Sequence, residues 1–196
     1  MTSLCVLLPL GLRLLLWFAV PLAPAFAFDA DQLLAALAQE KQGQATFIET
    51  KYLAVLDRPI KSSGTLSFRS PDRIEKNTLE PKHEDLVLDG DTLTVAREDR
   101  TMTVDLRDHP QVLSFVEAIR GVLVGNARML EQVYRIELTG DEANWRMVLT
   151  PRDARLASVI KVIRMSGGAQ VRSMEYVEAN GDHSVMQIDP VPLDAK

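Results

Sequence analysis

The chain has 196 residues, with 22 basic and 27 acidic side chains (net −5 at pH 7), and is 46% hydrophobic and 25% charged. This balance excludes a disordered chain, and the acidic surplus excludes a general nucleic-acid backbone binder, which needs excess Lys and Arg. One cysteine, Cys5, excludes an internal disulfide and a cysteine-cage zinc site.

Residues 1–27 contain no acid. Arg13 precedes the apolar run Leu14–Val20, Pro21 and Pro24 interrupt helix, and Ala25-Phe26-Ala27 offers the small residues of a signal-peptidase site. The expectation is a cleaved secretory signal and an exported chain from Phe28, most simply periplasmic. A retained anchor is the alternative, because Leu4–Phe26 as a whole is long enough to span.

A short helix is expected over Asp29–Glu40. Asp29 and Gln32 stand in capping-box spacing, Leu33, Leu34, Leu37 and Ala38 form one stripe, and Gly43 ends it. Alternating segments follow at Thr46–Leu56, Gly64–Arg69, Asp85–Asp89, Thr92–Arg97 and Thr101–Leu106, joined by turn formers such as Ser70-Pro71-Asp72 and Asp89-Gly90-Asp91. The period then changes. Val112, Phe115, Val116, Ile119, Val122 and Leu123 recur at helical spacing, with Asp108 and Pro110 at the start and Gly125-Asn126 at the stop. Alternation returns in Tyr134–Leu138, Asn144–Thr150, Ser158–Met165, Gln170–Glu178 and Ser184–Ile188, before an extended tail at Asp189-Pro190-Val191-Pro192. The expected fold is α+β. It is a single domain over 28–196 in which a curved antiparallel sheet of about eleven strands forms a barrel or half-barrel with helices at its mouth or inside.

Motifs for catalysis are absent: there is no phosphate loop, nucleophile elbow or His-Glu-x-x-His. His83, His109 and His183 are scattered over presumed turns. Glu84, Asp85, Asp89 and Asp91 surround a hairpin but lack the ligand spacing of a calcium loop. No metal, cofactor or enzymatic step is expected, with acid–base work at a cavity mouth as the residual alternative.

A curved sheet with one apolar face suggests a cavity. Its candidate lining is Phe47, Leu66, Phe68, Leu86, Leu88, Leu93, Val95, Met102, Val104, Phe115, Trp145 and Met147. Ordinary core is the competing reading of each. Met129, Met165, Met174 and Met186 add flexible thioethers suited to varied apolar chains. Arg69 and Arg73 flank Ser70-Pro71 and are candidates to meet a polar head on the cargo.

The order of short motifs resembles the LolA-type periplasmic lipoprotein carriers, as a divergent member. It comprises the signal, the N-terminal helix, Phe47-Ile48-Glu49, the run Gly64-Thr65-Leu66-Ser67-Phe68-Arg69-Ser70-Pro71-Asp72-Arg73-Ile74, the Leu88–Leu93 hairpin and Val148-Leu149-Thr150-Pro151. The resemblance implies an unclosed eleven-stranded barrel covered by helices. It also implies an apolar space that shelters acyl chains, and a monomer loaded by an inner-membrane complex and unloaded to an outer-membrane acceptor. Two positions depart from the carriers: Ser70 stands where they have arginine, and Glu49 where they have glutamine. The cargo is accordingly a lipoprotein or another lipid-like molecule. An accessory or enzymatic role in an acyl-chain or polyene pathway is the alternative, and a filled barrel serving as an interaction module is a third.

Overall fold

The computed structural model describes residues 28–192, so the expected signal segment and the last four residues lie outside the described residues. Asp29 caps α1 (Ala30–Leu37): its carboxylate accepts from the Gln32 amide at 2.8 Å, and the Gln32 side chain returns to the Asp29 amide. The helix buries Leu33 and Leu34. It ends before Gly43, which belongs to the first strand and lies under the Phe68 ring, so the expected stop signal is a close-packing position instead.

Five further strands follow β1 (Gln42–Tyr52) as a meander: β2 (Ile60–Arg69), β3 (Arg73–Glu80), β4 (Glu84–Asp89), β5 (Thr92–Arg97) and β6 (Arg100–Asp105). A 3₁₀ turn at Leu106–Asp108 leads into α2 (Pro110–Val124), which starts with proline at its first turn. It stops at Gly125, whose φ of 72° is the left-handed conformation that favours glycine. Asn126 then caps α3 (Ala127–Val133) through its side-chain oxygen, at 3.0 Å from the Met129 amide. The meander resumes with β7 (Tyr134–Asp141), β8 (Asn144–Pro151), a single helical turn α4 (Ala154–Ala157), β9 (Ile160–Gly167), β10 (Val171–Glu178) and β11 (His183–Val191).

All eleven strands form one antiparallel sheet in the order β6-β5-β4-β3-β2-β1-β11-β10-β9-β8-β7. The β1–β11 pairing joins the two meanders, Phe47 opposite Ile188 and Glu49 opposite Met186. β6 and β7 are the free edges, so the barrel is unclosed, and the segment that connects those edges supplies α2 and α3. This is the architecture expected from the sequence. Three elements were not foreseen: β3, α3 and α4.

Side-chain alternation defines an inner face, the one carrying Phe47, Leu66 and Leu86. Over β7–β9 this face is dry. Tyr134, Trp145, Met147, Leu149, Ile163 and Met165 pack with Leu33, Leu34, Ala118, Val122 and Leu130 from the helices into one core cluster. Over β2–β6 the same face is largely half-buried, and the helices make their main sheet contacts with β7, β8 and β9.

Candidate functional site

Trp145 and Met147, two of the twelve expected lining residues, are core. Both are fully buried. The Trp145 indole N–H donates to the Gly168 carbonyl at 2.8 Å, which fixes the ring at the β8–β9 end of the cluster. The expected alternation of this strand holds, with Arg146 exposed, but the ring faces packed protein. Phe115, on α2, also packs on this cluster and meets Tyr176 edge-to-face at 5.4 Å between centroids.

The remaining positions form a continuous inner row on the other half. Cross-strand pairing places Leu66 opposite Lys76, Lys76 opposite Leu86, Leu86 opposite Val95 and Val95 opposite Met102. One step along, Phe68, Ile74, Leu88, Leu93 and Val104 form a parallel row. Leu88 is buried, the others in that row are half-buried, and Met102 at the sheet edge is 58% exposed. Phe47, on β1, is 2% exposed and closes the row against the packed half. Two surface depressions lie away from this row, one of about 220 Å³ around Tyr52, Pro59 and His183, the other of about 430 Å³ around Asn144, Gly168 and Arg172.

α2 bridges the two halves. Its Ala118 and Val122 sit in the packed core, while Arg120 reaches the β4–β5 turn, where it donates to the Gly90 carbonyl at 2.5 Å and lies 3.5 Å from Asp91.

A polar cluster interrupts the inner face where the halves meet. Lys76 of β3 donates to Glu49 Oε2 at 2.5 Å, and Ser184 of β11 donates to Glu49 Oε1 at 2.5 Å. Glu49 and Ser184 are buried. The Lys76 ammonium also stands 4.9 Å from the centroid of the Phe47 ring. Burial works to raise the Glu49 pKa. The Lys76 and Ser184 hydrogen bonds, with the charges of Lys76 and Lys51, outweigh it and hold the carboxyl below its ordinary value. Beside them, burial raises the Tyr176 phenol against the opposing influence of Lys51. Desolvation alone would lower Lys51, but Tyr176 and Glu178 raise it above its ordinary value.

Lys76 was not among the expected site residues, and neither was β3 among the expected strands, for one reason. The inner positions of this strand are Ile74, Lys76 and Thr78, so a lysine occupies the centre of what alternation requires to be an apolar row. The signal that finds it is the sequence context: a thirteen-residue gap between Pro71 and the Asp85–Asp89 strand that already holds Ile74.

Arg69 and Arg73 prove to be outer-face residues. Phe68 points inward, so its neighbour Arg69 points outward, and Arg73 is its cross-strand partner. Arg73 is engaged there by Glu75 at 2.7 Å and Asp89 at 2.8 Å. Both therefore lie on the face opposite the inner row.

The histidines stay apart. His83 lies 3.3 Å from Asp85, His183 stacks on Tyr52 at 4.4 Å, and His109 precedes α2. The acidic patch is divided among basic partners: Glu84 pairs with Arg97, Asp89 with Arg73 and Asp91 with Arg120. Among the described residues no group of three or more His, Cys, Asp or Glu is placed to hold a metal ion, and no helix is long and apolar enough to cross a membrane.

Several solved structures are similar to this chain. A LolA superfamily protein from Nitrosomonas europaea is 11% identical, with a TM-score of 0.47, over 87% of this chain and 96% of that one. The MucA/MucB complex of Pseudomonas aeruginosa is 15% identical, with a TM-score of 0.48, over 86% of this chain and 59% of that one. The lipoprotein LppX of Mycobacterium tuberculosis is 11% identical, with a TM-score of 0.42, over 84% of this chain and 98% of that one. No curated protein sequence matches. A family model described as outer membrane lipoprotein carrier protein LolA-like matches residues 22–189, which includes every strand of the sheet but the last residues of β11. The chain belongs to that LolA-like family.

Proposed function

We propose that the chain is an exported binding protein that carries acylated cargo, a lipoprotein or another lipid-like molecule, along the inner row of β2–β6. The observation that supports this most is the contrast in burial across one continuous sheet. Trp145, Met147 and Leu149 are fully buried, whereas Leu66, Phe68, Leu93, Val95 and Val104 on the same face are only half-buried. Apolar area left part-covered on a concave surface costs roughly 25 cal/mol per Å² until something removes it from water. An acyl chain laid along the strands is an occupant of the right shape and polarity. In this reading the protein performs no chemical step and needs no cofactor. It acts in the periplasm as a monomer between an inner-membrane loading complex and an outer-membrane acceptor.

A titration with a fluorescent fatty acid, kept below its micelle concentration, tests the reading. Saturable binding is expected, weakened by Val95→Trp, whose added volume fills the row. The parent protein giving only linear, non-saturating signal would remove the carrier reading and leave the filled-barrel alternative. Mass spectrometry of lipids that co-purify from the native compartment identifies the cargo.

A further inference from the structure

We propose that Lys76 is the polar anchor of the inner row, donating to a neutral carbonyl oxygen, an ester or amide, at the head of an acyl chain. This rests on the acyl-carrier reading above and adds to it the head-group class and its contact.

Position comes first. Lys76 stands directly across from Leu66 and Leu86, with Ile74 and Thr78 beside it on the same face of β3. Its side chain is only 22% exposed. Its partner Glu49 lies two strands away, on β1. The pair therefore crosses β2, and the β2 residue on the diagonal is Gly64, opposite both Phe47 and Thr78. No side chain there blocks the crossing, and none can be added cheaply: a Cβ on Gly64 would lie 1.9 Å from the Asn77 carbonyl oxygen.

Valence comes second. Both oxygens of Glu49 already have a donor, Lys76 on one and Ser184 on the other. A lysine ammonium carries three N–H donors. One goes to Glu49, and the Phe47 ring, 4.9 Å from the nitrogen, takes the adjoining side. The remaining donor has apolar neighbours on both flanking strands, Leu66 and Leu86, and an acyl chain lying on those leucines brings its head to it.

Charge selects the head. The Lys76–Glu49 pair is neutral, so a free carboxylate or phosphate placed on Lys76 would stand beside Glu49 as a second anion in a poorly solvated site. A carbonyl oxygen gains a charge-assisted hydrogen bond without that repulsion. The other basic side chains nearby are otherwise engaged: Lys51 by Glu178 at 4.0 Å, Arg73 on the outer face, Arg97 by Glu84 at the rim, and Arg120 by the β4–β5 turn.

The test uses dodecane, N-methyl lauramide and laurate as competitors against a fluorescent acyl probe, with the parent and the double variant Glu49→Gln/Lys76→Met. The double variant removes both charges together, so no unpaired carboxylate is left buried, and its melting curve verifies the fold. The parent is expected to bind the lauramide more tightly than either dodecane or laurate. The double variant should lose about tenfold in lauramide affinity, the scale of one hydrogen bond to a charged donor, and keep its dodecane affinity within about twofold. An unchanged lauramide-to-dodecane ratio in the double variant overturns the anchor while leaving the carrier reading intact. Laurate outcompeting lauramide in the parent overturns the neutral-head assignment. Failure of the parent to bind any of the three overturns the carrier reading and this inference together.

Discussion

The two halves of the sheet carry the same pattern and meet different fates. β8 reads Trp145, Met147, Leu149 on its inner face, and β5 reads Leu93, Val95 on its own. The first set is sealed under α1–α3, and the second is half-open beneath the reach of α2. What separates them is the supply of a covering partner. The helical segment packs into the core cluster of β7–β9, next to the strand it leads into, and reaches β2–β6 through Arg120 on the β4–β5 turn. Alternation thus sets which side chains face inward, and tertiary cover decides which of them become core.

The sharpest way to break this comparison is to delete volume in each half. Trp145→Ala should cost about 4 kcal/mol of stability, because the helices and the Gly168 carbonyl hold the site open around the cavity. Val95→Ala should cost only about 1 kcal/mol, since the side chain is already part-solvated. Chemical denaturation of the two variants measures both, and equal losses would show that the halves are packed alike.

The boundary between the halves is the next target. Lys76→Met leaves the Glu49 carboxylate buried without its ammonium and should cost about 3 kcal/mol, whereas Glu49→Gln/Lys76→Met should recover most of it. The double variant being as unstable as the single would mean that Lys76 contributes by packing rather than by pairing. Acid separates the same pair by pH. The Glu49 pKa is lowered on folding, so the carboxylate contributes stability above its ordinary value of 4.5, and that contribution is lost as pH falls through the lowered folded value. Glu49→Gln should therefore flatten the stability profile between pH 5 and pH 3, about where unperturbed glutamate titrates, relative to the parent.

These residues also mark how far the sequence could be read. The capping box at Asp29, the proline start and glycine stop of α2, and most of the strands follow from local chemistry, and they were legible. Strand β3 was not, because Lys76 occupies the inward position where alternation requires an apolar residue. α3 was hidden because Asn126 serves two purposes, following the α2 stop and capping the next helix, and seven residues give too few turns to show a period. The division of the lining into core and open row was not legible at all. Trp145 and Leu93 differ in whether α1, α2 and α3 pack over them, and that is decided by contacts distant in sequence.

The smallest expected effect belongs to a pair the alternation rule itself could have placed. Phe68 faces inward, so Arg69 and its partner Arg73 face outward, where Arg73 is held by Glu75 and Asp89. Exposed ion pairs of this kind contribute little to stability, because water and salt screen them. Arg69→Leu and Arg73→Leu, singly or together, should therefore shift the denaturation midpoint only slightly and leave fluorescent fatty-acid affinity unchanged within about twofold. The control is Lys76→Arg, which keeps a cation on the inner face but needs more room between Leu66 and Leu86, and should weaken acyl binding where the outer arginines do not. If the outer substitutions weaken acyl binding as strongly as Lys76→Arg does, cargo must also touch the convex face, and the distinction between a dry half and a binding half would no longer describe how the sheet works.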